Sequence, residues 1–197
     1  MILCIAYNWL NPPYTPLMLY RKLVYQYQSQ PRNFIPIASM DSVIPKMVVS
    51  IEDDVFYEHW GINIKAIRLA YHRNRRAGYS RYGASTITQQ TARTLFLLPH
   101  KLWLRKYLEM IVTLEMELVM PKSRILELYL NYAEWGKGVY GIGAAARYHY
   151  KKEVKKLSRE EIIRLVVILS SPIKYNPSNY AAKRILRVRY NYLHRLY

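Results

Sequence analysis

Leu102-Trp103-Leu104-Arg105-Lys106-Tyr107-Leu108-Glu109-Met110-Ile111-Val112-Thr113-Leu114-Glu115-Met116-Glu117-Leu118-Val119-Met120 decides how this chain folds. Its apolar residues recur at three- and four-residue spacing, the period of an α-helical face, with no glycine or proline to interrupt them. Pro121 closes the run, because proline breaks a helix it does not start. Working outward, the same period holds over residues 62–71, 87–98, 125–130, 162–169 and 185–196. Ser158 followed three residues later by Glu161 reads as a capping box that opens one of these helices. Pro172 and Pro177 break the chain after Ser170 and Ser171. No β-hairpin signal and no internal repeat stand out. The pattern predicts a single, mainly α domain over residues 40–197.

The chain has 197 residues, enough for one domain with its own core, and 51% of them are apolar. Thirty Lys and Arg against 13 Asp and Glu give a formal charge of +17. So basic a balance calls for an anionic partner: nucleic acid, acidic phospholipid head groups or a phosphorylated substrate. Cys4 is the single cysteine, which excludes a disulfide framework and a cysteine-based metal site. His59, His72, His100, His149 and His194 lack the close helical spacing of a zinc pair. Residues 1–10 are mostly apolar and uncharged but reach only half of the ~20 residues a membrane-crossing helix needs. They read as the remnant of a transmembrane anchor, or as a buried N-terminal strand or helix end. Asn11-Pro12-Pro13-Tyr14-Thr15-Pro16 then opens a stiff connector assigned to residues 11–39.

Three segments are irregular in ways that packing does not require. In the first, Glu52-Asp53-Asp54 follows the apolar Val48, Val49 and Ile51. A carboxylate at the edge of an apolar surface can serve as base or acid, and the plain alternative is a solvated acidic helix end. In the second, Gly83-Ala84-Ser85-Thr86-Ile87-Thr88-Gln89-Gln90 is small, polar and uncharged where a helix opens. Ser85, Thr86 or Thr88 can cap that helix and leave N–H groups for an anion; an ordinary capped loop is the alternative. In the third, Lys101, Arg105 and Glu109 are spaced by four and share one helical face, which is also how a surface charge ladder looks.

Taken together and in this order, the segments resemble the peptidoglycan glycosyltransferases of glycosyltransferase family 51, which include the monofunctional transglycosylases and the glycosyltransferase domain of class A penicillin-binding proteins. Glu52-Asp53, Phe56, His59 and Gly61 look like the opening motif, and Gly83 to Gln90 like the second. Arg105-Lys106-Tyr107-Leu108-Glu109 looks like the Arg-Lys-x-x-Glu motif. Lys122-Ser123-Arg124-Ile125-Leu126-Glu127-Leu128-Tyr129-Leu130-Asn131 matches the fourth. Gly136, Gly138 to Ile142 and Ala144 to Ala146 also fit, while the last motif, near residues 187–196, matches only loosely. The resemblance covers residues 40–196.

It implies a lysozyme-like helical domain that polymerises lipid II into β-1,4-linked glycan strands, releasing undecaprenyl diphosphate with inversion. Glu52 and Glu109 become the catalytic carboxylates, with Glu52 as general base. Asp53, Phe56, His59, Ser85, Thr86, Gln89, Gln90, Arg93, Lys101, Arg105 and Lys106 become substrate-binding residues. Arginine at 93 and lysine at 101 exchange the family's usual cations. Lys122, Glu127 and Asn131 are expected to shape the fold beneath the site. No cofactor is required, though a divalent cation, Mg or Mn, can accompany the diphosphate. The implied location is the bacterial cytoplasmic (inner) membrane, with the domain on its outer, periplasmic face. Cell-wall synthesis or division proteins are implied as partners, and moenomycin as an inhibitor. Arg73, Arg75, Arg76, Arg81, Lys183, Arg184, Arg187 and Arg189 are expected to face anionic lipid, and residues 62–70 or 95–98 to dip into it. The 20 tyrosines suit a membrane–water interface. Two rival readings follow from the same residues: a peptidoglycan hydrolase, and a basic nucleic-acid-binding protein, for which no reader signature is found.

Overall fold

The computed structural model describes residues 1–78, 83–99 and 103–197, and they form a mainly helical domain. In chain order the helices are α1 (Ile2–Ala6), α2 (Pro16–Tyr25), α3 (Val43–Glu52), α4 (Ile64–Ala77), α5 (Ile87–Phe96), α6 (Trp103–Val119), α7 (Lys122–Tyr132), α8 (Ile142–Tyr150), α9 (Arg159–Ile168) and α10 (Arg184–Leu196). The capping box of Ser158 and Glu161 starts α9 as the sequence predicts. At α5 the cap is Thr86, paired with Gln89 in a second capping box.

The core is built around α7. Ile125, Leu126, Leu128, Leu130 and Tyr132 are all buried, so this helix is enclosed on nearly every side. A helix buried on nearly every face belongs inside a domain. It packs against α5, which packs in turn against α6, while α3 and α10 close over α9. Asn131 binds the backbone of Ile35 in both directions, accepting from its N–H at 2.8 Å and donating to its carbonyl at 2.9 Å. Glu127 accepts from the N–H of Ile37 at 2.7 Å. These two side chains, with Lys122, hold chain segments rather than a cavity.

Residues 1–10 contain one short helix, α1, the helix end that the sequence offered as an alternative, whose Cys4 is buried, with the amino terminus on Glu115 at 2.5 Å and Asn8 donating to Val119 O at 2.8 Å; two other features depart from the sequence reading. No described helix is long and apolar enough to cross a membrane. The connector contains α2, because Pro16 stands at the start of that helix, where a missing N–H costs nothing, and Thr15 caps it. A small antiparallel hairpin joins β1 (Glu134–Gly136) to β2 (Val139–Tyr140). Its signal was hidden because two strands this short show no alternation. Gly138 (φ 71°) and Gly141 (φ 80°) require glycine twice over: by left-handed backbone, and because a Cβ would strike the carbonyls of Gln28 and Asn131.

Candidate active site

Glu52 is the last residue of α3, and the chain turns sharply after it. Asp53 leaves the helix in extended conformation and its carboxylate reaches the first turn of α5. There it accepts from Ile87 N at 3.0 Å, a position where unpaired helix N–H groups and the helix dipole favour an anion. The same carboxylate pairs with His59 Nε2 at 2.9 Å. Thr86 donates to Gly61 O at 2.6 Å, and Thr88 to Glu117 at 2.5 Å. Lys122 binds Glu117 at 2.8 Å and His59 O at 2.6 Å, and lies over the Phe56 ring. Loop 53–61 is thereby clamped to the start of α5.

That clamp sets Glu52 on the wall of a cavity of about 700 Å³. Asp53, Arg73, Ser85, Thr86, Gln90, Arg93 and Arg189 also line it. Each Glu52 oxygen has a partner: Arg189 donates to Oε1, and Gln90 Nε2 donates to Oε2 at 3.2 Å. The Gln90 amide is in turn oriented by Tyr129, whose hydroxyl donates to Gln90 Oε1 at 3.1 Å. Burial, and then the nearby Glu52 charge, push the Tyr129 phenol well above its ordinary pKa, so it stays a donor. A donating hydroxyl selects the oxygen end of the amide and leaves the NH₂ for the carboxylate.

Of the expected site residues, the catalytic Glu52 and the substrate-binding Asp53, Ser85, Thr86, Gln90 and Arg93 meet at this cavity. Phe56 and Gln89 lie beneath it, buried and occupied in the clamp and the capping box, and His59 lies there too, tied to Asp53. Glu109, Arg105 and Lys106 form a separate cluster on α6, and none of them is among the described residues lining the cavity. Glu109 is 0% exposed and binds Arg105 at 2.7 Å and Lys106 at 2.5 Å. Lys101 and Arg81 lie outside the described residues.

One expectation is corrected. Arg189 does not face lipid: α10 packs against α3 and turns this arginine into the cavity, onto Glu52. Arg73, placed with it on the lipid side, also lines the cavity. The available signal for Arg189 was its place within the loosely matched last motif. Tyr129 was read only as part of a motif, and its link to Gln90 depends on the packing of α5 on α7.

Among the described residues no group of three or more His, Cys, Asp or Glu side chains gathers as ligands. Asp53 and Glu109 are already bound by neighbours.

A carboxylate poised in a cationic cavity, reached by a helix that opens on a small polar loop, suits an enzyme that takes a proton from an anionic substrate. Residues 20–196 match the family model described as transglycosylase, and the chain belongs to that family. It is 44% identical over 191 residues to a biosynthetic peptidoglycan transglycosylase of Pseudomonas putida (strain W619), covering 93% of this chain and 80% of the relative. It is 39% identical over 196 residues to the protein of that name from Pseudomonas aeruginosa, covering 96% and 84%. The one from Rhodospirillum centenum is 40% identical over 175 residues, covering 89% and 75%.

Proposed function

We propose that this chain is a peptidoglycan glycosyltransferase that joins lipid II units into glycan strands, with Glu52 as general base. The observation that carries the reading is the Glu52 carboxylate, oriented by Arg189 and Gln90 on the wall of a cavity that also holds Arg73 and Arg93. The acceptor's 4-hydroxyl loses its proton to Glu52 and attacks C1 of the donor, whose bond to the lipid diphosphate breaks with inversion. A positioned base of this kind contributes about 10²–10⁴-fold. A diphosphate is already a good leaving group, so the opposite side needs cations more than an acid. Arg93 meets that need from the cavity wall. Arg105 and Lys106 meet it from α6, with Glu109 as the positioning carboxylate that fixes their directions.

The hydrolase reading is disfavoured by the family and by the separation of the carboxylates. A hydrolytic pair must flank one glycosidic bond, whereas Glu109 is buried in a cluster of its own and Asp53 is spent on Ile87 and His59.

The enzyme works in the cell envelope, and its apolar surface supports contact with a bilayer. On α6, Trp103 (81% exposed), Tyr107, Ile111, Leu114 and Leu118 share one face at spacings of three and four, and exposed Ile2 and Leu3 of α1, which packs on that helix, extend the apolar surface. On α4, exposed Ile64, Ile67 and Leu69 stand beside Lys65, Arg68, Arg75 and Arg76. That mixture suits an anionic lipid surface.

Incubation with purified lipid II tests the function directly. Glycan polymer that is suppressed by moenomycin is the expected product. Degraded sacculi without polymer would overturn the reading.

A further inference from the structure

Helix α5 separates the Glu52 cavity from a second one of about 390 Å³. Gln90, Arg93, Leu169 and Ser170 line both, so the two share a wall. The far wall comes from α2, β1 and residues 170–174. It carries Arg21, Glu134 and Lys174, with Ser171, Thr94 and Tyr129 hydroxyls and an apolar floor of Leu17 and Ile173.

The charges of this cavity exceed what a neutral sugar asks for. Arg21, Arg93 and Lys174 stand against one carboxylate, Glu134. Neither Arg93 nor Lys174 has an acidic partner among the described residues. Arg21 is fixed in place: its Nη2 donates to Glu134 Oε2 at 3.1 Å, and its guanidinium lies over the rings of Tyr25 and Tyr27. Arg21 Nε is buried with no partner, so the guanidinium keeps hydrogen-bonding capacity that Glu134 does not use. A preorganised guanidinium beside a flexible ammonium and serine hydroxyls is the chemistry that recognises a carboxylate.

We propose that this second cavity is a subsite for a carboxylate carried on the peptide stem of the peptidoglycan chain, with Arg21 and Lys174 as its cationic contacts. The proposal rests on the glycosyltransferase reading, because the sugars of such a substrate are neutral and its stem bears the carboxylates. The subsite would let the enzyme sense the stem while Glu52 acts on the sugar, one wall of α5 away. The substrate's diphosphate is the other anion of the same chemistry, and the test separates the two.

The full chain is assayed in detergent micelles with two lipid-linked disaccharide peptides, one with free stem carboxylates and one with those carboxylates amidated. The wild type is expected to favour the free form by ~10-fold in kcat/KM, the scale of one charge-assisted contact. Lys174→Met, at an exposed loop position, should cut that preference to ~3-fold by lowering turnover of the free form. Arg21→Met combined with Glu134→Gln removes both members of the pair, so that no lone buried ion is left, and should abolish the preference. Equal use of both substrates by the wild type overturns the proposal. So does a Lys174→Met loss that falls equally on both, since the charge would then serve the diphosphate. Polymer made without preference sinks only the subsite, whereas no polymer from either substrate sinks the glycosyltransferase reading and the subsite with it.

Discussion

Glu52 and Glu109 are both carboxylates held by arginine, but they are held in opposite ways. The partners of Glu109 come from its own helix, three and four residues before it, and the group is sealed from solvent. The partners of Glu52 come from Gln90 on α5 and Arg189 on α10, and the group faces a cavity. The difference separates two tasks. A base must reach its proton, so it is held by distant elements that leave one side open. A positioning carboxylate works best where nothing else competes for its oxygens.

The largest test of this contrast is Glu52→Gln. Polymer synthesis from lipid II should fall at least ~100-fold, as expected for a lost general base, with the melting temperature barely moved. Near-normal turnover would break the comparison on its catalytic side.

Glu109→Gln should do the reverse in stability. It leaves Arg105 and Lys106 without their anion, and because both cations are partly exposed the cost should be about 1–3 kcal/mol, read as a fall in melting temperature of several degrees. Activity should fall with it as the cations lose direction. A melting temperature equal to that of Glu52→Gln would erase the distinction between the two carboxylates.

A finer probe is Tyr129→Phe. Without its hydroxyl the Gln90 amide is free to flip, and kcat should drop ~3–10-fold while KM stays near the wild-type value, at a stability cost of about 1 kcal/mol for one hydrogen bond. An unchanged kcat would mean that Arg189 alone orients Glu52.

The smallest effect concerns a control far from both carboxylates. Burial lowers the pKa of His149, whose Nε2 lies 3.0 Å from Trp135 O. The unfolded chain therefore takes up the proton first, and the stability this histidine contributes is present above about pH 6.5 and lost as pH falls through its lower folded value. His149→Gln should flatten the thermal-stability profile below pH 6.5 by a fraction of a kcal/mol, since the ring is partly exposed. A steeper acid loss in that variant would assign the acid sensitivity to other groups.

Much of the fold was legible because it is local. The helical periods read along the chain appear as α6, α7 and α9 among the described residues, and α5 opened with Thr86, one of the three caps the sequence offered. What stayed hidden had weak local signals. Helix α2 began on a proline read as a breaker, and the hairpin was too short for alternation. Of the α6 cluster, Arg105 and Glu109 were visible by their four-residue spacing and Lys106 by the motif they share. Arg189 was marked only by its place in the loosely matched last motif, which does not distinguish an arginine facing lipid from one facing Glu52.

The amino-acid sequence by itself determined the helical class, the caps, the basic character and the order of motifs that mark Glu52. These follow from spacing along the chain, where neighbours three and four residues apart must meet. Only the tertiary structure decided which acid lines the cavity, which is buried, and that an arginine 137 positions downstream closes on the base. Those outcomes depend on how α3, α5, α7 and α10 pack together, and packing depends on contacts between segments whose separation in sequence carries no record of their distance in space.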